Sequence, residues 1–120
     1  SQVGDLAKTA TVVNGHTFIG SVMADGVSGD DLRKIAIDLR GQNSNSVVAL
    51  VSSNDGKPVL VVAVSDEARA AGVKAGALVK VGSTVLGGGG GGKDDFAQGG
   101  GTNPAKSLEA IAAISQSLLG

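Results

Sequence analysis

A chain of 120 residues is long enough for one hydrophobic core and too short for two. Ten basic residues against eleven acidic ones give a formal net charge of −1, which excludes a global field strong enough to name a polyanion or a membrane surface as partner. With no cysteine, thiolate catalysis, a disulfide framework and the usual structural zinc sites are excluded together, and with 2% aromatic residues the core must be built from Val, Ala, Leu and Ile.

The opening "SQVGDLAK" has neither an initiator Met nor a signal segment, and residues 1–10 read as the remnant of an upstream helical segment, with a helix tail over Gly4 to Ala10. Residues 11–120 read as the globular unit. Thr11 to Val13 and Thr17 to Ala24 flank "NG" at Asn14 and Gly15, a type I′ hairpin signal. Ser28 followed by Asp31 makes a capping-box pattern, and Leu32, Ile35, Ala36 and Leu39 recur at helical spacing; the helix should run from Gly29 to about Gly41, with Arg33, Lys34, Asp38 and Arg40 on its other face. Val47 to Val51 and Val59 to Val64, separated by "SSNDGKP", predict a second hairpin with both faces covered and a central place in the sheet.

Ser65 caps "DEARAAG", where Asp66 and Glu67 suit the positive end of the helix dipole and Gly72 ends the helix. A further helix over Lys74 to Leu86 is expected to bury Ala77, Leu78, Val81 and Val85. Asn103 as N-cap and Pro104 at the first helical position open a closing helix whose stripe is Leu108, Ile111, Ile114, Leu118 and Leu119. The order predicts an α/β single-domain sandwich, a mixed sheet packed by helices, with a glycine-rich loop before the C-terminal helix. The longest apolar runs, such as "VLVVAV", are of strand length, so no membrane-spanning helix is expected and the chain reads as soluble and cytoplasmic.

The low-complexity segment is "LGGGGGGKDDFAQGGG", Leu86 to Gly101, which holds nine of the twenty glycines. Gly87, Gly89 and Gly92 satisfy G-x-G-x-x-G, and Gly87 through Lys93 the first part of a phosphate-binding P-loop, but six consecutive glycines satisfy almost any glycine pattern. Context argues against both. A P-loop needs Ser or Thr after the lysine, where Asp94 stands, and a dinucleotide fingerprint needs a strand before it, where a helix is expected. Ordering six glycines still forgoes on the order of 3–6 kcal/mol relative to alanine. The segment is therefore either a linker or a main-chain surface that something approaches closely, offering N–H groups to phosphate or ribose oxygens. Phe96, Ala97 and Gln98 between two glycine clusters argue against a plain linker.

Read with its flanks "VKAGALVKVGSTVL" and "NPAKSLEAIAAI", the segment closely resembles the C-terminal end of bacterial-type alanyl-tRNA synthetases, where glycines, a basic, an acidic and an apolar residue and "AQ" with more glycine close the chain. "NGHTFIGSV", "LRKIAIDLR" and "VVALVSS" are similar to that family in type and order, so the resemblance covers nearly the whole chain. It departs at Asp94, where the family usually has Pro. The resemblance implies the C-Ala, or DHH-associated, globular domain over residues 11–120, related in fold to a domain of certain phosphoesterases. It implies a non-catalytic role, contact with the outer corner of tRNA in support of aminoacylation and editing of tRNA(Ala), and an ATP-dependent alanine–tRNA ligase as the parent chain. It also implies self-association through a helical segment mostly missing here, leaving the fragment monomeric.

The tRNA-binding candidates are Gly88, Gly89, Gly90, Gly91, Gly92, Lys93, Gln98, Lys74 and Lys80. Lys93 would be a point charge beside exposed glycine amides, Gln98 a donor and acceptor for a base or ribose or a tie between loop and strand, and Lys74 and Lys80 further phosphate contacts or a wet helix face. Phe96 is expected to pack into the core rather than stack on a base, and Asp94 and Asp95 to be exposed rather than an acid–base pair. His16, alone after a turn, is expected to face solvent, and no catalytic residue, metal site or cofactor is expected. The alternative to RNA binding is a structural or protein-interaction module for dimerisation or docking; a phosphoesterase would need a cluster of Asp and His that the chain lacks.

Overall fold

The computed structural model describes residues 2–120. The elements are α1 (Gln2–Ala7), β1 (Thr11–Val13), β2 (His16–Val22), α2 (Gly29–Gln42), β3 (Ser46–Asn54), β4 (Lys57–Val64), α3 (Asp66–Ala70), α4 (Ala75–Val85), β5 (Gly90–Gly92), β6 (Phe96–Gly100), a 3₁₀ turn (Pro104–Lys106) and α5 (Ser107–Ser117). One six-stranded sheet has the order β1-β2-β3-β4-β6-β5. Only β2 and β3 pair in parallel, with α2 as the crossover between them, and the other pairs are antiparallel, so the sheet is mixed as expected.

Both sheet faces are covered. Alternate residues of the central strands, Val48, Leu50, Val61 and Ala63, pack with Ile19 under Leu32, Ala36 and Leu39 of α2, and α1 adds Val3, Leu6 and Ala7 at the margin. The intervening set, Val47, Ala49, Val51, Leu60, Val62 and Val64, packs against Leu78 and Val79 of α4 and Ala110, Ile111 and Ile114 of α5. Strands β3 and β4 are thus buried on both sides, which is why they read as near-continuous β-branched runs.

Local chemistry sets the boundaries. Asn14 and Gly15 take φ of 49° and 82° in the first hairpin turn, and Asp55 and Gly56 take 52° and 75° in the second. A two-residue turn lets β3 and β4 extend through most of "SSNDGKP", beyond the strand ends expected from sequence. Ser28 and Ser65 cap α2 and α3, their hydroxyls accepting from the N–H groups of Asp31 and Ala68.

Three expectations are corrected. On α4 the buried face is Ala75, Leu78, Val79, Gly82 and Ser83, while Ala77 is exposed and Val81 and Val85 are half-buried. Gly82 sets that rotation, because a Cβ there would meet Leu60 Cδ2 at 2.6 Å and Ile114 Cδ1 at 2.8 Å, so the helix approaches the sheet where it has no side chain. The closing helix begins at Ser107, since Pro104 to Lys106 form a 3₁₀ turn and Asn103 makes no side-chain cap. Its buried stripe is Ser107, Ala110, Ile111, Ile114 and Leu118, which leaves Leu108 and Leu119 outside it, 74% and 59% exposed.

His16 is buried rather than solvent-facing. It opens β2, and its Nδ1 lies 2.7 Å from Asn45 Oδ1. Asn45 Nδ2 donates to the Gly15 carbonyl at 2.9 Å, and the Asn45 N–H donates to Glu67 Oε1 at 3.2 Å. Bonds from the N–H groups of Glu67 itself and of Asn45 hold the Glu67 carboxyl below its ordinary value. A carboxyl lowered in the folded state stabilises fully above its unfolded value and loses that contribution as pH falls through the folded one. Protection of the Asn45 amide, taken relative to its intrinsic exchange rate, is therefore expected to fall as pH drops below the ordinary carboxylate range, and a Glu67→Gln variant to lack that pH dependence.

Candidate nucleic-acid interface

The glycine segment is not a loop. The chain leaves α4 through Leu86 into Gly87, whose φ of +81° turns it back, with Gly87 N–H bonded to Thr84 O at 3.1 Å and Gly88 N–H to Ser83 O at 2.9 Å. This double closure is a Schellman motif, so the first two glycines of the run end a helix. The next residues form β5, which turns through Lys93 to Asp95 and returns as β6 beside β4. A glycine hairpin therefore completes the sheet, with β5 on its edge.

The glycines separate by what a side chain would meet. A Cβ on Gly88, Gly90 or Gly92 would run into the backbone of the returning strand, for Gly92 at 2.7 Å from Ala97 Cα and from the Phe96 carbonyl oxygen. On β6 and beyond, Gly99 and Gly101 sit against Ser83 and Leu86 of the α4 end with no room for a methyl group. Packing thus requires glycine at these positions. Gly89 and Gly91 differ, since a Cβ on either would meet nothing within 4 Å. By the alternation of the ladder, with Gly100 N–H donating to Gly89 O at 3.1 Å and Lys93 N–H to Phe96 O at 3.0 Å, Gly90 turns its own N–H and C=O toward the outer edge.

The hairpin's turn is tied to α4. The N–H groups of Ala75 and Gly76, without partners inside the helix, donate to the carbonyls of Asp94 at 2.9 Å and Lys93 at 3.1 Å. Lys74, immediately before the helix, is exposed next to that turn, and Lys80 is exposed further along α4. Both lie in the helical layer opposite α2. Lys93 and Asp94 are exposed, Asp95 is half-buried, and Gln98 extends toward the start of α2, where its Nε2 lies 3.0 Å from the position a Gly29 Cβ would take.

On the α2 side of the sheet a groove of about 380 Å³ runs between the helix and the hairpin. Arg33, Ile37 and Arg40 line it from α2, Gly91 and Gly92 from β5, Lys93 and Asp95 from the turn, and Phe96, Ala97 and Gln98 from β6. Phe96 is half-buried against the α2-side core, and the Arg33 guanidinium carbon lies 4.5 Å from its ring centroid. Arg40 Nη1 donates to the Asp95 carbonyl at 2.8 Å. Of the residues expected to bind, Gly91, Gly92, Lys93 and Gln98 line this groove, while Gly88, Gly89, Gly90, Lys74 and Lys80 lie outside its lining. Arg33 and Arg40 join the groove without having been singled out. Their signal was a stripe at i, i+4 and i+7 with Ile37, which marks one side of a helix but does not say what that side faces.

A mixed sheet covered by helices on both faces, closed by a glycine hairpin, defines the class, and the comparisons give it a family: residues 14–119 match the DHHA1 domain, and the chain belongs to that family. It is similar to the C-Ala domain from Aquifex aeolicus alanyl-tRNA synthetase, with a TM-score of 0.86 and 34% identity over 93% of this chain and 99% of that one. It is 45% identical over 112 residues to the alanine–tRNA ligase of Streptomyces avermitilis, covering 91% of this chain and 13% of that one. To the alanine–tRNA ligase of Acidothermus cellulolyticus it is 51% identical over 112 residues, 92% of this chain and 12% of that one. The chain spans about an eighth of the length of these two relatives. Among the described residues no helix is long and apolar enough to cross a membrane.

Proposed function

We propose that this chain is the C-terminal, non-catalytic tRNA-binding domain of a cytoplasmic alanyl-tRNA synthetase, with the glycine hairpin as the surface that meets the RNA. The parent chain on this reading is the alanine–tRNA ligase, and the domain helps aminoacylation and editing act on one tRNA by holding its outer corner. The observation that carries the reading is the open face at Gly89 and Gly91, where internal packing gives no reason for glycine yet none of the six consecutive positions bears a side chain. A main chain left bare on its outer side suits a partner that comes within backbone distance. The cations beside it suit a phosphate backbone.

With about three phosphates neutralised, the log–log dependence of affinity on salt should have a slope near −2 to −3. Lys93→Ala is expected to reduce that slope by about one unit in an anisotropy titration with a tRNA(Ala) transcript. An unchanged slope would take Lys93 out of the interface. Failure of the chain to bind the transcript at low salt, together with a dimeric mass in solution, would favour a protein-interaction module instead.

A further inference from the structure

We infer that the groove between α2 and the glycine hairpin is a two-arginine clamp for backbone phosphates of an RNA strand, held by Arg33 and Arg40; this rests on the tRNA-binding reading and assigns part of it to α2.

The groove is locally basic although the chain is not. Its lining carries Arg33, Arg40 and Lys93 against the single carboxylate of Asp95, in a chain of net charge −1. Among the described residues the ion pairs are Arg69 with Asp66 and Lys106 with Glu109, so no carboxylate is paired with the guanidinium of Arg33 or Arg40.

Both guanidinia are nevertheless held in place, each by an uncharged partner. Arg33 lies over the Phe96 ring, a contact with an aromatic face rather than with a hydrogen-bond acceptor, so its N–H donors remain for a ligand. Arg40 spends one N–H on the Asp95 carbonyl and keeps the rest. A free arginine loses its rotamer freedom when a ligand fixes it. Fixing the side chain beforehand with an aromatic face or a carbonyl reduces that cost while leaving the charge for the ligand.

The arrangement selects ligand chemistry. Arg33, Ile37 and Arg40 lie on one side of α2, with the arginine Cα atoms about 10 Å apart along the axis, and the apolar Ile37 between them offers no acceptor. Across the groove Gly91 has no side chain to block a strand laid along it. Donors from three cations, with one carboxylate as the charged acceptor, match phosphodiester oxygens rather than base edges, so binding should depend little on the sequence of the strand.

The test is tRNA(Ala)-transcript binding by fluorescence anisotropy across a salt series, using this chain and the variants Arg33→Gln, Arg40→Gln, the double variant, Arg33→Lys and Lys106→Gln. Each single Gln variant should reduce the log–log slope by about one unit and the double by about two. Arg33→Lys should keep the slope but weaken binding, because an ammonium held over Phe96 cannot present a planar fork to a phosphate. Lys106→Gln removes one charge elsewhere and should leave the slope unchanged. As a readout that needs no variant, the Nε–Hε signals of Arg33 and Arg40 in the unsubstituted chain should shift on adding the transcript. If the chain binds but the double variant keeps the full slope and both signals stay in place, the clamp is overturned and the tRNA reading stands. If the unsubstituted chain does not bind, both fall.

Discussion

Alanine at position 90 is expected to remove about 3 kcal/mol of stability, whereas alanine at position 91 should remove none. A methyl group on Gly90 would meet Gly99 Cα and, at 2.7 Å, the carbonyl oxygen of Gln98. Both are main-chain atoms of β6, which is itself paired with β4, so relief requires moving a strand rather than rotating a side chain. Overpacking commonly costs 1–3 kcal/mol, and an obstacle that cannot relax puts this case at the upper end. At Gly91 the added methyl meets nothing within 4 Å and the backbone is outside the left-handed region, so restricting the unfolded chain should balance or exceed any strain. Denaturant midpoints of the two variants, with unchanged m-values, check the contrast. Equal losses at the two positions would mean that β5 does not lie against β6 as described.

Leu60→Ala is expected to cost a similar amount, about 3 kcal/mol, through the cavity it leaves in the fully buried centre of β4. The same site gives a sharper expectation. Leu60 Cδ2 lies 2.6 Å from where a Cβ on Gly82 would stand, so Gly82→Ala alone overpacks the contact between α4 and the sheet. In the Leu60→Ala background the contact with Leu60 is gone and the end of the Ile114 side chain, 2.8 Å from the new methyl group, can turn into the vacated space, so the methyl group fills part of the cavity and removes a glycine that costs about 1 kcal/mol in a helix interior. The double variant should thus be more stable than the sum of the two losses by more than about 1 kcal/mol. Simple additivity would show that Gly82 does not set the approach of α4.

Where side chains carry the local signal, the fold was legible in the sequence. The "NG" turn, the capping serines Ser28 and Ser65 and the β-branched runs of β3 and β4 each state their conformation within a few residues, and each is found there. The strands β5 and β6 were not legible as strands. A strand announces itself through alternating or branched side chains, and Gly90 to Gly92 have none; what makes them a strand is the close approach to Ala97 and Gly99, which the topology supplies. The stripe of α5 was misplaced for a different reason. Leu108 and Leu119 fit an apolar pattern counted from Asn103, but the 3₁₀ turn shifts the start of the helix and brings Ser107 and Ala110 inward.

The candidate site divides in the same way. Lys93 and Gln98 belong to the recognisable segment, and both line the groove. Arg33 and Arg40 are some sixty residues away in sequence and read as the solvent side of an amphipathic helix. They reach the hairpin because β6 pairs with β4, directly beneath α2, a long-range pairing that no local pattern encodes.

The most direct measurement is the affinity of a Gly91→Val chain for a tRNA(Ala) transcript at fixed low salt, taken beside its denaturant midpoint. The bare outer face predicts a midpoint close to that of the unsubstituted chain and binding weakened by about tenfold or more, equivalent to roughly 1.4 kcal/mol. Unchanged affinity in a stably folded Gly91→Val chain would contradict the account, because a branched side chain would then stand where the RNA is held to press against the backbone.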